Sequence, residues 1–208
     1  MGEEGLPIDF ILHFDDIDQD YQLSYLIRKD GSVQVTAEMN TTGRKLPEMP
    51  RFGMRFTLAE GFENVSYYGR GPIENYSDRK TGQFIGRYDT TVSDMYYPYA
   101  RPQQNGNHTD VRWAKLTDAQ KGVSVKIASL GDMDFSALHY MDEDFDPGNT
   151  RKMRHTKDLY ERKETYVITG NVMRGLGGDN SWGEYPHKEY RHYSGKYKFS
   201  YVLSLEGK

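Results

Sequence analysis

Three polar, glycine-punctuated segments hold the residues whose types could do chemistry. The first, GRGPIENYSDR at 69–79, sets Arg70 between two glycines, stiffens the exit with Pro72, then presents Glu74, Asn75, Asp78 and Arg79. A tight loop that gathers carboxylates, an amide and a guanidinium can grip the vicinal hydroxyls of a sugar. The same interleaving of Arg with carboxylates makes an ion-pair knot that pins a loop to its sheet, and this is the preferred reading. The second, DMYYPYARPQQNGNHTDVRW at 94–113, crowds Gln103, Gln104, Asn105, Asn107 and His108 around Gly106 beside tyrosines. Planar amides suit sugar hydroxyls and rings suit sugar C–H faces, but a loop packed on its own amide network looks the same, and the residues leave both readings open. The third, RGLGGDNSWG at 174–183, surrounds Asp179, Asn180, Ser181 and Trp182 with glycines. No Lys-Ser/Thr and no helix former follows, so a phosphate cradle is disfavoured. A tryptophan on such a loop is either core or a ligand platform, and its polar neighbours favour the platform.

Other chemistries find no support. The six histidines (His13, His108, His139, His155, His187, His192) show no metal-ligand spacing, so no metal site is proposed. Ser136 lacks a nucleophile-elbow frame. Asp142, Glu143 and Asp144 read as a solvated acidic turn. So does the run Asp15 to Asp20, which has neither the glycine bend nor the distant Glu of a calcium loop. No cysteine exists to form a disulfide, thiolate site or nucleophile, a composition compatible with cytosol or periplasm. A net charge of −4 offers no basic field for nucleic acid, and no apolar run approaches membrane-helix length. With no secretory signal, the four sequons at Asn40, Asn64, Asn75 and Asn107 are read as coincidence.

The elements that must position these loops are strands. Period-2 alternation marks 8–14, 21–28, 32–39, 52–58, 64–69, 83–88, 111–116, 122–129, 134–140, 165–172 and 196–205. The 17 tyrosines and 9 phenylalanines suit a β protein with half-wet faces. Asp30-Gly31 predicts a hairpin in which both turn residues take positive φ. In 196–205, Tyr197, Phe199, Tyr201 and Leu203 share a face, while Val202 and Leu205 off that register suggest an end covered on both sides. Only 156–163 could form a helical turn or two, with Thr156 as N-cap. The connections 69–72, 98–106, 147–149 and 175–178 read as loops of one all-β sandwich. Met1 to Gly5 reads as an engineered start, leading through the acidic stretch to residue 20, with the domain itself at 21–208.

Taken in order, RFGMRFTL (51–58), the 63–88 stretch with its GRGPIENYSDR, the 92–113 stretch, FSALHY (135–140), RHTKDL (154–159) and GLGGDNSWG (175–183) resemble the C-terminal (small chain, domain 5) domain of family 2 glycoside hydrolase β-galactosidases. The resemblance covers roughly 21–205 and implies a galactose mutarotase-like β-supersandwich. It implies a retaining glycosidase acting on galactosides only as part of a longer chain. The catalytic carboxylates then lie in a TIM barrel among the remaining domains, and the fragment is inactive alone. It places Trp182 as a wall stacking on sugar, with Asp179 and Asn180 as substrate-binding neighbours. Asn105, His108, Glu74 and Arg79 are weaker candidates. No cofactor is expected in this segment, since the family's Mg and Na are bound largely elsewhere.

One departure is the absence of a W-R-x-P-type opening stretch, so the first strands of the domain are expected to be missing. Exposed edge strands and self-association into a homo-oligomer follow from that. The alternatives are an independent carbohydrate-binding module, or an aldose epimerase-like enzyme using His108 or His139 with Glu74.

Overall fold

The computed structural model describes residues 5–146, 148 and 154–207. Met1–Glu4, and all of the 147–149 loop but Gly148, lie outside the described residues. Eleven strands run in chain order: β1 (Leu6–Phe14), β2 (Gln19–Ile27), β3 (Val33–Asn40), β4 (Arg51–Leu58), β5 (Phe62–Gly71), β6 (Phe84–Thr91), β7 (Trp113–Asp118), β8 (Val123–Ser129), β9 (Asp134–Leu138), β10 (Thr165–Met173) and β11 (Lys196–Gly207). Each expected strand is present. All pairings are antiparallel, in an eight-stranded sheet of order β1-β2-β3-β11-β8-β7-β5-β6 and a three-stranded sheet β4-β10-β9. The fold is an all-β sandwich.

Alternation explains both sheets. In β3, Val35, Ala37 and Met39 are buried while Gln34, Thr36 and Glu38 look the other way. Its neighbours follow suit with Tyr21 and Leu23 on β2 and Phe199 and Tyr201 on β11. The small sheet closes on this face: the Phe52 ring of β4 lies 5.8 Å from Tyr21 and 5.5 Å from Tyr197. Phe135 of β9 and Val167 of β10 complete the core. Burying these rings and branched chains contributes about 1.5–3 kcal/mol each.

Several local expectations are corrected. In the β2–β3 turn only Gly31 adopts positive φ (+82°). Asp30 instead accepts from the Ser32 amide (2.9 Å) and hydroxyl (2.7 Å), which lowers its carboxyl pKa. Residues 156–158 form a single 3-10 turn, and Thr156, rather than capping it, donates to the Tyr99 carbonyl. Two short helices were not anticipated, α1 (Val92–Met95) and α2 (Asp142–Phe145). Residues 69–71 continue β5 instead of starting a loop. Leu205 is 83% exposed, so the end of β11 is open on that side. The acidic stretch 15–20 is a 3-10 turn over Asp15–Ile17 followed by a left-handed Asp18, joining β1 to β2. No described helix is long and apolar enough to cross a membrane.

Candidate functional site

The three segments singled out in the sequence converge at one end of the sandwich. After β5, residues 72–83 fold back over the 96–112 connection, and the knot reading of 69–79 holds. Arg70 Nε donates to Asp110 at 2.7 Å and Lys80 approaches the same carboxylate at 3.2 Å. Burial would raise the Asp110 pKa, but these two cations hold it below the ordinary range. Asn75 is fully buried with both ends of its amide used. Nδ2 donates to the Arg70 and Ile73 carbonyls, and Oδ1 accepts from the Thr109 amide and hydroxyl.

Glu74 is the centre of a second cluster. It accepts from Arg79 (2.6 Å), the Gly106 amide (2.6 Å) and the Tyr99 hydroxyl. Its carboxylate is thus spent on tying the two loops together. Asn105 and His108 are likewise interior. Asn105 accepts from the Tyr97 amide and donates to the Gln103 carbonyl. His108 lies against the Tyr67 hydroxyl and the Arg70 carbonyl, and burial pushes its pKa down to about 4. The amide-network reading of 94–113 therefore describes Asn105 and Asn107, whereas Gln103 and Gln104 remain partly open.

Against this platform lies the third segment. The Gly177 amide donates to Asp78 Oδ2 at 2.9 Å and the Gly175 amide to the Tyr190 carbonyl at 2.8 Å. Gly178 passes so close to Glu184 that a Cβ there would sit 2.5 Å from its carbonyl oxygen, so only glycine fits. Asn180 spans the tip: Oδ1 accepts the Trp182 amide (2.8 Å) and Nδ2 donates to Glu184 (2.6 Å). The Trp182 indole itself is 91% exposed. His187 Nε2 meets Asp179 Oδ1 at 2.8 Å, and that hydrogen bond raises the histidine pKa. Behind the loop, Glu48 binds Arg174 and Arg191, and Arg191 stacks 4.7 Å from the Tyr185 ring.

Between the three segments opens a cleft of about 380 Å³ lined by Asp78, Arg79, Tyr99, Gln103, Asp179 and His187, among others. Asp78 Oδ1 is buried and has no donor among the described residues. A carboxylate, a guanidinium, amides and an imidazole around a small open volume suit a polyhydroxylated ligand, each group donating or accepting with little net charge. Sequence reasoning missed Tyr99, Tyr190 and His187. Nothing local marks them, because their partners lie 8 to 25 residues away.

The remaining candidates stay apart. No hydrogen bond or ion pair joins His108 or His139 to Glu74; His139 is held by Glu63 at 2.6 Å. The acidic turn at 142–144 stays at the surface, and its side chains make ion pairs there: Asp142 with Arg51, Glu143 with Arg55, Asp144 with Arg162. Among the described residues no three His, Asp or Glu converge to hold a metal ion.

Known proteins resemble this chain over most of its length. The family model described as "Beta galactosidase small chain" matches residues 8–203. A β-galactosidase from Priestia megaterium is 34% identical over 174 residues, which is 84% of this chain and 16% of that protein. One from Streptococcus thermophilus is 34% identical over 175 residues, covering 83% and 16%. The chain thus spans about a sixth of the length of these curated relatives. Among solved structures, a GalM/aldose epimerase homologue from C. elegans aligns with a TM-score of 0.47 and 10% identity, over 100% of this chain and 67% of that one.

Proposed function

The chain belongs to the β-galactosidase small-chain family, and from that premise we propose that it serves as a non-catalytic domain of a β-galactosidase, lending one wall to a galactoside pocket completed by the parent's other domains. The observation that carries this reading is Trp182: an almost fully exposed indole, fixed at its backbone by Asn180 and set on a loop bordering a polar cleft. An isolated ring of that size gains by covering the C–H face of a sugar. Asp179 and Arg79, both on the cleft, are the polar groups best placed to meet sugar hydroxyls, while Asn180 acts as a positioning residue for the ring.

In this reading hydrolysis belongs to carboxylates elsewhere in the parent. A retaining glycosidase needs two carboxyl groups about 5 Å apart across the scissile bond. Here the carboxylates that line the cleft, Asp78 and Asp179, already bind the Gly177 amide and His187. The domain's own residues bind and orient. The Trp182 face sets the plane of the ring, and the neighbouring carboxylate, guanidinium and amides fix its rotation.

The test pairs the chain with the remaining polypeptide of a parent β-galactosidase. The chain alone is expected to leave a nitrophenyl galactoside untouched. The assembled enzyme is expected to lose about tenfold in kcat/KM on Trp182→Ala, about 1.4 kcal/mol of transition-state binding. Hydrolysis by the chain alone, or an unaffected assembled variant, would overturn the proposal. The cleft beside the ring also supports a second reading, a self-sufficient carbohydrate-binding module. Quenching of Trp182 fluorescence by millimolar galactosides in the isolated chain would favour that one.

A further inference from the structure

The segment that carries Trp182 is anchored unevenly. From Tyr185 onward it is held: the Tyr185 ring stacks on Arg191 at 4.7 Å and Arg174 at 5.5 Å, and the His187 carbonyl accepts from the Tyr190 amide at 2.9 Å. Residues 178–182 form an arm that, among the described residues, is joined to this anchored half by two side-chain hydrogen bonds. His187 Nε2 meets Asp179 Oδ1 at 2.8 Å, and Asn180 Nδ2 donates to Glu184 at 2.6 Å. Glycines flank the arm. A side chain at Gly177 or Gly183 would meet nothing within 4 Å, and Gly183 takes a φ of +92°, so both ends have room to turn. Of the two bonds, only the first has a partner that changes charge near neutrality.

We infer that His187 is a proton-controlled latch on the Trp182 arm: its imidazolium holds residues 178–182 to the anchored half through Asp179, and loss of that proton to solvent lets the arm turn about Gly177 and Gly183. The inference rests on the reading of Trp182 as a pocket wall and adds the regulation of that wall. The imidazole has acidic surroundings. In its own segment Asp179 lies 2.8 Å from Nε2 and Glu189 3.8 Å from Nδ1, and Glu184 adds its charge. From the loops across the cleft come Asp78, Arg79 and Tyr99, with Tyr190 beside them. Arg79, the one cation of these, is committed to Glu74 and the Tyr99 hydroxyl. The Asp179 hydrogen bond and the carboxylate charges therefore raise the histidine pKa above its ordinary 6.5. The latch is complete below pH 6.5 and is lost as pH rises through the raised pKa of the folded chain. A neutral imidazole still has an N–H to donate, but without the charge that bond weakens and the pull of Glu184 and Glu189 disappears.

A nitroxide on the arm tests the latch without any sugar, so a failure here leaves the pocket-wall reading to the kcat/KM of the assembled Trp182→Ala enzyme. The chain has no cysteine of its own and Ser181 is exposed, so Ser181→Cys offers a single labelling site. Between about pH 5.5 and about pH 8.5 the ratio of immobile to mobile spectral components is expected to fall about threefold, the scale of an exposed charge pair. His187→Gln keeps a donor for Asp179 without a titrating charge and is expected to make that ratio independent of pH. His187→Lys keeps the charge throughout and is expected to hold the arm immobile at both ends of the range. Asp179→Asn is expected to lower the midpoint at which the His187 ring-carbon protons titrate in NMR spectra. A label equally mobile at both pH values, or a pH dependence that survives His187→Gln, overturns the inference. A His187 midpoint unmoved by Asp179→Asn overturns Asp179 as the partner in the latch.

Discussion

Buried among tyrosine and backbone carbonyl, His108 makes acid stability measurable at one residue. Its pKa falls from 6.5 to about 4 in the folded chain, chiefly through desolvation. The unfolded chain therefore takes up a proton near pH 6.5 that the folded chain refuses until about pH 4. Stability from this group is complete above pH 6.5 and is lost as pH falls through that window, by roughly 3 kcal/mol. His108→Gln, which cannot protonate, is expected to flatten the pH dependence of urea midpoints between 6.5 and 4. An unchanged slope would mean that other groups set it. Asn75 is the complementary case, an amide with four partners and no exposure. Asn75→Ala strands buried carbonyls and an amide, so a loss of about 2–4 kcal/mol in chemical denaturation is expected.

At the scale of elements, the glycine-rich segment behaves as a bracket. Its stem is fixed by Asp78 and Tyr190 and its tip by Asn180, so the ring at 182 is held without being packed. Asn180→Ala is expected to leave the melting temperature nearly unchanged while broadening the Trp182 fluorescence anisotropy decay, because only the tip is released. A melting temperature lowered by many degrees would assign the amide a structural role beyond the loop. Much of this was legible in the residues. Strict alternation located all eleven strands, since a half-buried sheet allows little else, and the polar motifs named the loops that meet. The ties between loops were not legible. Glu74 with Gly106 and Tyr99, or Glu48 with Arg174 and Arg191, join positions 25 to 143 residues apart. No local pattern encodes such closures. The division of strands into sheets of eight and three was equally hidden, because alternation tells a strand which face is inside but not which neighbour it pairs with.

At the scale of the whole molecule, the mismatch between those sheets is the dominant fact. A three-stranded sheet cannot cover eight strands, and the shortfall appears where β1 leaves the shelter of β4. Leu6, Ile8, Phe10, Leu12 and Phe14 stand exposed there.

The chain holds only two indoles, and they live in opposite surroundings. Trp113 lies on β7 between the Arg87 guanidinium and the Lys126 ammonium, each within 6 Å of its ring, whereas Trp182 stands in solvent. Replacing Trp113 with phenylalanine would leave a single indole, on the loop that borders the cleft. Its emission maximum would then be a label-free meter for anything that settles there, be it a sugar, a neighbouring domain or a second molecule.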